Sequence, residues 1–162
     1  MGHRLTPQRY HHHANAAGST GHDGPAPARC GCRSGVRPQA RALEDLLGGI
    51  RARWRIPIAR VVAHSDVAPR RKVDPGPKFD WRRLALSGHA VWPEAEGCGA
   101  GGWPAFRRAA SRIGYGAPEG DWEAVLAAVR LRFRPEALAS PLDDRDVALV
   151  GALAEAHPCV DP

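Results

Sequence analysis

Apolar residues recur at helical spacing near the middle of the chain, and a short β-branched run follows them. They stand at positions i, i+3, i+4, i+7 and i+11, as Leu43, Leu46, Leu47, Ile50 and Trp54. This spacing predicts an amphipathic helix over about 38–54, which Pro57 terminates because proline has no backbone N–H to donate. The run IARVVA, residues 58–63, then predicts a short buried strand.

The C-terminal part of the pattern predicts three more helices. Asp121 and Asp143 stand where N-caps are expected for the second and third of them, and a proline follows each of these two helices. The apolar positions are Phe106, Ala109, Ala110 and Ile113 in the first, Trp122, Val125, Leu126, Val129 and Phe133 in the second, and Val147, Val150 and Ala154 in the third. Together they predict a small three-helix bundle over 104–157.

The remaining segments divide the chain into four parts. Residues 1–37 show no apolar periodicity and almost no large aliphatic side chains, so we expect them to be disordered. The first ordered part is 38–86, and it ends in a short helix that Asp80 is placed to cap. Residues 87–103 contain GCGAGG and form a Gly-rich linker, after which the helical segment 104–157 follows.

Composition and charge narrow the function classes. The 162 residues carry a formal net charge of +6, which favours anionic partners. Aromatic residues make up 6% of the chain and no nucleic-acid-binding motif is present, so we expect no nucleic-acid partner. We also expect no membrane partner, because no apolar run is long enough to span a bilayer. The lack of an apolar signal region predicts a cytoplasmic location, or a periplasmic one if the natural N-terminus is missing.

The stretch VVAHSDVAPRRKVDPGPKFDW, residues 61–81, carries the candidate chemistry. His64 ends the predicted strand and Asp74 follows it in a proline-rich loop, and an imidazole and a carboxylate are both good zinc ligands. Lys72 stands close to the aspartate in sequence, where its charge could stabilise an oxyanion on a metal-bound carbonyl. The spacing alone leaves another interpretation open, in which the histidine caps a turn and a basic, solvated loop follows it.

The whole string is more specific than its spacing. H-S-D-x-A-P-x-R-K-x-D-P-G-x-x-F-D-W resembles the C-terminal motif of the type-2 family of zinc-dependent N-acetylmuramoyl-L-alanine amidases of bacterial cell-wall metabolism. The matching residues are His64, Ser65, Asp66, Ala68, Pro69, Arg71, Lys72, Asp74, Pro75, Gly76, Phe79, Asp80 and Trp81. The helix and strand before the motif are also similar to the family. IGYG and LRFRP in the tail resemble its small peptidoglycan-binding-type domain, so the resemblance covers about 38–157.

This resemblance implies a fold, an activity and a metal site. The fold would be α/β (α+β), with 38–86 as the C-terminal part of a mixed-sheet amidase domain and the three-helix bundle after it. The family uses one Zn²⁺, held by two histidines and one aspartate, to cleave the amide between N-acetylmuramic acid and L-alanine in peptidoglycan or muropeptides. By motif position, His64 would be the second histidine ligand, Asp74 the aspartate ligand and Lys72 the residue that stabilises the tetrahedral intermediate.

The chain departs from the family before residue 38. The family places strands, its first zinc histidine and a water-activating glutamate there, whereas residues 1–37 contain no apolar strand. We expect that this segment comes from another reading frame or a wrongly chosen start, and that the chain is poorly active. Its histidines are poor replacements for the missing ligand, because ordering the segment would cost roughly 1–2 kcal/mol per residue. They are His3, His11, His12, His13 and His22.

A second function is compatible with the same features. The helical segment 104–157 could bind peptidoglycan without catalysis, and the basic charge would help it on an acidic polymer. The two hypotheses differ in their dependence on the motif. An amidase needs His64 and Asp74 to hold zinc, whereas a binding module does not.

Overall fold

Helix α1, Val36–Trp54, opens the part of the chain that the structure describes, which is residues 36–95 and 97–159 of a computed structural model. The predicted helix is confirmed, and its apolar row divides into two sides. Leu43 and Leu47 are half-buried against a small core cluster. That cluster consists of Ala63, Trp81, Leu84 and Ala90. The exposed members of the row are Leu46, Ile50 and Trp54. The described residues therefore cover one side of the apolar face.

The strand predicted at 58–63, and with it the sheet contribution to the α/β class, is not found in the structure. Ile58–Arg60 forms a 3₁₀ turn, and every regular element in the described part of the chain is helical. A strand needs a neighbouring strand to take its backbone hydrogen bonds, and none of the described residues supplies one. The backbone amides form local hydrogen bonds instead. Arg60 N donates to Pro57 O at 2.9 Å, and Val61 N donates to Ile58 O at 3.2 Å.

Two short helices flank the loop that carries the candidate chemistry. Helix α2, His64–Val67, precedes the loop, and helix α3, Trp81–Leu86, follows it. The Asp80 side chain caps α3 as predicted, because its Oδ1 accepts from Arg83 N at 2.9 Å. Trp81 is buried, so α3 anchors the far end of the loop to the small core cluster.

The C-terminal helices are α4 (Gly102–Arg112), α5 (Trp122–Phe133) and α6 (Asp144–Ala156). All three predicted helices are confirmed, and α4 begins slightly before the expected residue 104. Asp121 and Asp143 cap α5 and α6 as predicted, each accepting a backbone N–H at 3.0 Å. The largest fully buried apolar side chains between the helices are Phe106, Val125, Val129 and Val150.

Trp92 packs both on the small core cluster and on the buried side chains between α4, α5 and α6. Its ring lies edge-to-face against Phe133 of α5, with the ring centroids 5.6 Å apart. Part of the predicted linker 87–103 is therefore packed in the core. The division into domains on either side of this linker stays a prediction.

Residues 1–35 lie outside the described residues. The disorder predicted for the N-terminal segment therefore stays a prediction. Within 36–95 and 97–159, no helix combines the length and apolar character that crossing a membrane requires.

A network of buried ion pairs joins the C-terminal end of α5 to the start of α6. The Arg130 guanidinium is 1% exposed and donates to the Asp146 carboxylate and to two backbone carbonyls. Arg134 adds a second guanidinium, whose Nη1 donates to Asp143 Oδ1 and Asp146 Oδ1 at 2.6 Å each. The hydrogen bond from Arg134 is the main cause that holds the pKa of Asp143 well below its ordinary value of 3.8.

Removing the cap of α6 should weaken the fold in a pH-dependent way. We expect Asp143→Ala to lower the free energy of unfolding at pH 7 by about 0.5–2 kcal/mol. Because the folded-state pKa is depressed, this stabilisation is present above pH 3.8 and is lost as pH falls toward the folded value. Urea unfolding at pH 7 and pH 3 measures both effects. The exposed neighbour Asp144 gives the control Asp144→Ala, and equal losses in the two variants would contradict the prediction.

Gly99 lets the linker backbone pack directly on α6. A Cβ at this position would lie 2.5 Å from Ala148 N and 2.8 Å from Val147 C. These are helix backbone atoms, which cannot move aside as the end of a flexible side chain can. We expect Gly99→Ala to lower the free energy of unfolding by about 1–3 kcal/mol. Gly116→Ala is the control, because a Cβ there meets nothing within 4 Å. Chemical denaturation that shows Gly99→Ala as stable as Gly116→Ala would argue against this packing.

Candidate metal centre

The first turn of α2 is fixed by the carboxylate of Asp66. Its Oδ2 accepts Ala63 N at 2.8 Å and Arg132 Nη1 at 2.8 Å. Its Oδ1 accepts the hydroxyl of Tyr115 at 2.6 Å. Burial raises the pKa of the Tyr115 hydroxyl well above its ordinary value of 10.0, so this group keeps its proton and remains a donor. Three donors from separate parts of the chain thus hold the backbone around His64.

His64, in α2, and Asp74, in the loop between α2 and α3, meet at the surface. Nδ1 of His64 hydrogen-bonds the Asp74 carboxylate, and Ser65 N donates to the main-chain oxygen of Asp74 at 3.2 Å. The two side chains are 73% and 52% exposed, so solvent and substrate can reach them. The structure therefore brings both predicted ligands to one point.

Local charge favours the ionised form of Asp74. The hydrogen bond from His64 is the largest cause that holds the pKa of Asp74 below its ordinary value of 3.8, and the positive charge of Lys72 adds to it. Lys72 is itself exposed, while its backbone N–H donates to Ala68 O at 3.0 Å. All three residues predicted from the motif thus belong to one electrostatic group.

The donor set fits zinc in kind but not in number. An imidazole nitrogen and a carboxylate oxygen are ligands that zinc prefers, and a catalytic zinc takes three protein ligands. Within 36–95 and 97–159, no group of three His, Cys, Asp or Glu side chains could hold a metal ion. His64 and Asp74 are therefore a pair of candidate ligands, and the five histidines of the N-terminal segment lie outside the described residues.

The sequence did not indicate the contacts among Asp66, Tyr115 and Arg132. Arg132 lies three residues after Val129, at the edge of the apolar stripe of α5, and this position was an available signal for burial. Its guanidinium also lies over the ring of Trp81, 4.2 Å from the centroid. The pairing itself joins residues 66 positions apart, and no local pattern encodes such a contact.

A cavity of about 600 Å³ is lined in part by this network. Its lining includes Val62, Asp66, Tyr115, Arg132, Phe133 and Leu153. Neither His64 nor Asp74 lines it, so this cavity and the candidate metal centre are separate features. We place the chemistry at the exposed pair, because His64 and Asp74 are ligand-type side chains in direct contact and open to solvent.

Sequence comparison relates the chain to amidases, although no model of a known protein family matches it. The N-acetylmuramoyl-L-alanine amidase AmiD of Escherichia coli (strain K12) is 34% identical over 133 residues, which cover 74% of this chain and 48% of AmiD. The 1,6-anhydro-N-acetylmuramyl-L-alanine amidase AmpD of Enterobacter cloacae is 65% identical over 24 residues, 15% of this chain and 13% of AmpD.

Solved structures give the same relationship. AmiD from E. coli, in complex with the substrate anhydro-N-acetylmuramic acid-L-Ala-D-gamma-Glu-L-Lys, aligns with a TM-score of 0.66 at 32% identity, covering 73% of this chain and 51% of AmiD. AmpDh3 from Pseudomonas aeruginosa, in complex with anhydromuramic pentapeptide, aligns with a TM-score of 0.66 at 31% identity, covering 76% of this chain and 54% of AmpDh3.

The chain belongs to the type-2 N-acetylmuramoyl-L-alanine amidase family. It spans about half the length of AmiD and AmpDh3, and its described helices match a part of the amidase fold. The assignment of individual ligands in this amidase-family chain stays a prediction, which the geometry of the pair makes testable.

The contact within the pair predicts a change in titration. We expect His64→Ala to raise the pKa of the Asp74 carboxyl toward 3.8, because the hydrogen bond that favours its ionised form is lost. Carboxyl carbon shifts followed by NMR against pH, in metal-free protein, measure this value. Lys78→Ala is the control from the same loop and should leave it unchanged. An Asp74 pKa that does not respond to His64→Ala would show that the two side chains do not meet.

Proposed function

We propose that this chain carries the motif ligands of a zinc-dependent N-acetylmuramoyl-L-alanine amidase, which hydrolyses the amide between N-acetylmuramic acid and L-alanine. The single observation that carries the proposal is the meeting of His64 Nδ1 with the Asp74 carboxylate in the field of Lys72. The finer fold belongs to the same proposal. In it, the described residues before the linker are the C-terminal part of a mixed-sheet α/β domain.

His64 and Asp74 would hold the zinc together with a ligand from outside the described residues. Zinc in such a site supplies a Lewis acid that polarises the amide carbonyl and activates water. The chain's own contribution is to present two donors in fixed positions. Asp74 is ionised at neutral pH. Pro69 between the donors, and Pro75 and Pro77 after Asp74, restrict the loop, which reduces the entropy lost on binding.

Lys72 would stabilise the negative charge that develops on the amide oxygen while water attacks. It stands two residues before Asp74 in the same loop, and its charge adds to the lowering of the Asp74 pKa. Its ammonium is exposed and therefore available to a substrate. One preorganised group of this kind contributes a factor of about 10²–10³ to kcat.

Anhydromuropeptides are the substrates that we propose. The AmiD and AmpDh3 structures are complexes with anhydromuramyl peptides. The stem peptide of such a compound carries carboxylates, and the net charge of +6 on this chain favours anionic ligands. Intact peptidoglycan is the alternative substrate within the same reaction. The compartment, with the cytoplasm as the expectation and the periplasm as the alternative, stays a prediction.

Zinc binding and amide cleavage by the full chain test this proposal. We expect about one zinc per chain and slow release of L-Ala-D-γ-Glu-L-Lys from its anhydro-N-acetylmuramic acid conjugate, because the motif supplies only two of the three ligands. His64→Ala and Asp74→Ala should each lose both zinc and cleavage. Lys72→Met should keep the zinc and lower kcat about 10²–10³-fold, because it removes only the charge that stabilises the oxyanion.

Lys78→Met is the matched control, since it removes a positive charge from the same loop at a residue without a proposed role. It should change neither zinc binding nor kcat. A full chain that binds no zinc and releases no peptide would refute the amidase proposal. Loss of zinc in Lys72→Met would refute the role given to the lysine alone.

A second candidate function is non-catalytic binding of peptidoglycan by the C-terminal helices. The observation that favours it is the core that α4, α5 and α6 form together, in which Phe106, Val129 and Val150 are fully buried. Co-sedimentation of the full chain with cell-wall sacculi tests it. A binding module predicts equal sedimentation of the natural chain and His64→Ala, and two chains that stay in the supernatant would exclude it.

A further inference from the structure

Arg132 of α5 reaches across to the residues around His64. Its Nη1 donates to Asp66 Oδ2 at 2.8 Å and its Nη2 donates to Val61 O at 3.2 Å. The Arg132 and Asp66 side chains are only 4% and 5% exposed. This ion pair is therefore inside the protein, although the histidine beside it is largely in solvent.

The same guanidinium contacts both ends of the loop that carries Lys72 and Asp74. At the start of the loop it pairs with Asp66, and at the end it stacks on Trp81, with 4.2 Å from Cζ to the ring centroid. Tyr115 donates to the other oxygen of Asp66, so each carboxylate oxygen accepts a hydrogen bond from the C-terminal helical segment. One arginine and one tyrosine from the C-terminal helical segment thus fix where the loop begins and ends.

Stability alone is a weak reason for such an arrangement. Replacing a buried ion pair by apolar side chains of similar size is often neutral or stabilising, because both charges lose their hydration on burial. The ion pair instead fixes geometry, because a planar guanidinium with two fixed donors holds its acceptors in one arrangement. His64 and Asp74 are mostly exposed, so their positions follow from their backbone and not from packing of their own side chains.

We propose that Arg132, with Asp66 and Tyr115, positions the His64–Asp74 pair, so that the C-terminal helical segment is a working part of the metal centre. The proposal rests on the function proposed above in taking that pair as the functional site. None of the three residues touches the pair's metal-binding atoms. They act through the backbone of residues 61–66 and through the anchored end of the loop at Trp81.

The decisive variant is Arg132→Lys, which keeps the charge and loses the two-pronged donor. Hydrogen exchange of the metal-free full chain, followed by mass spectrometry or NMR, gives a readout that needs neither zinc nor substrate. We expect amides of residues 61–68 to exchange about tenfold faster or more, with little change in the core of α6. Zinc affinity should fall about 10–100-fold, which is usual when a supporting contact of a metal ligand is removed.

Arg134→Lys is the matched control, because Arg134 lies two residues further on and pairs with Asp143 and Asp146 within the bundle. It should speed exchange at the start of α6 and leave residues 61–68 and the zinc affinity unchanged. Tyr115→Phe removes only the hydroxyl that donates to Asp66. It should reproduce the Arg132→Lys pattern more weakly, and it decides the matter if Arg132→Lys does not fold.

Unchanged exchange of residues 61–68 in a folded Arg132→Lys, or acceleration spread equally over all helices, would overturn the positioning role. Selective acceleration at 61–68 together with weaker zinc binding would support it. If the natural chain binds no zinc, the amidase proposal fails on that result, while the exchange pattern still decides whether Arg132 positions the motif.

Discussion

The Asp66 carboxylate is buried, and the arrangement of the motif depends on it. It accepts hydrogen bonds from the backbone of Ala63, from the hydroxyl of Tyr115 and from the guanidinium of Arg132. A buried ionised group needs this full set of donors, because a charge without partners strongly destabilises a protein interior. Two of the three donors, Tyr115 and Arg132, come from parts of the chain that are distant from Asp66 in sequence. Helix α2 can therefore adopt its position only when α5 and the loop before it are also in place.

On the other side of the motif, the described residues cover the apolar face of helix α1 only in part. Leu43 and Leu47 pack on the small cluster, and Glu44 adds a hydrogen bond from Arg83 Nε at 2.8 Å. Ile50 and Trp54 lie on the uncovered side of the same helix, with 38% and 69% of their surfaces exposed. An amphipathic helix gains most of its stability from burying its whole stripe. The motif is thus held firmly from the C-terminal side and less from the side of α1.

The helices could be predicted from the sequence because their signals are local. The apolar period and the capping aspartates, Asp80, Asp121 and Asp143, lie within a turn of the positions they determine. The strand at 58–63 could not be predicted correctly, because β-propensity has structural meaning only when a partner strand is present. The motif located His64, Lys72 and Asp74, and the structure brings them together. The ion pair between Asp66 and Arg132 depends on tertiary packing alone and had no counterpart in the sequence pattern.

The exposed pair and the buried carboxylate have different physical tasks. The exposed pair presents an imidazole and a carboxylate in direct contact, and both are donor types that zinc binds. The contact already brings the two donors together, so little ordering remains to oppose metal binding. That order comes from the backbone, which Asp66 ties to Arg132. The strength of the metal centre should consequently depend on α5 as much as on the motif itself.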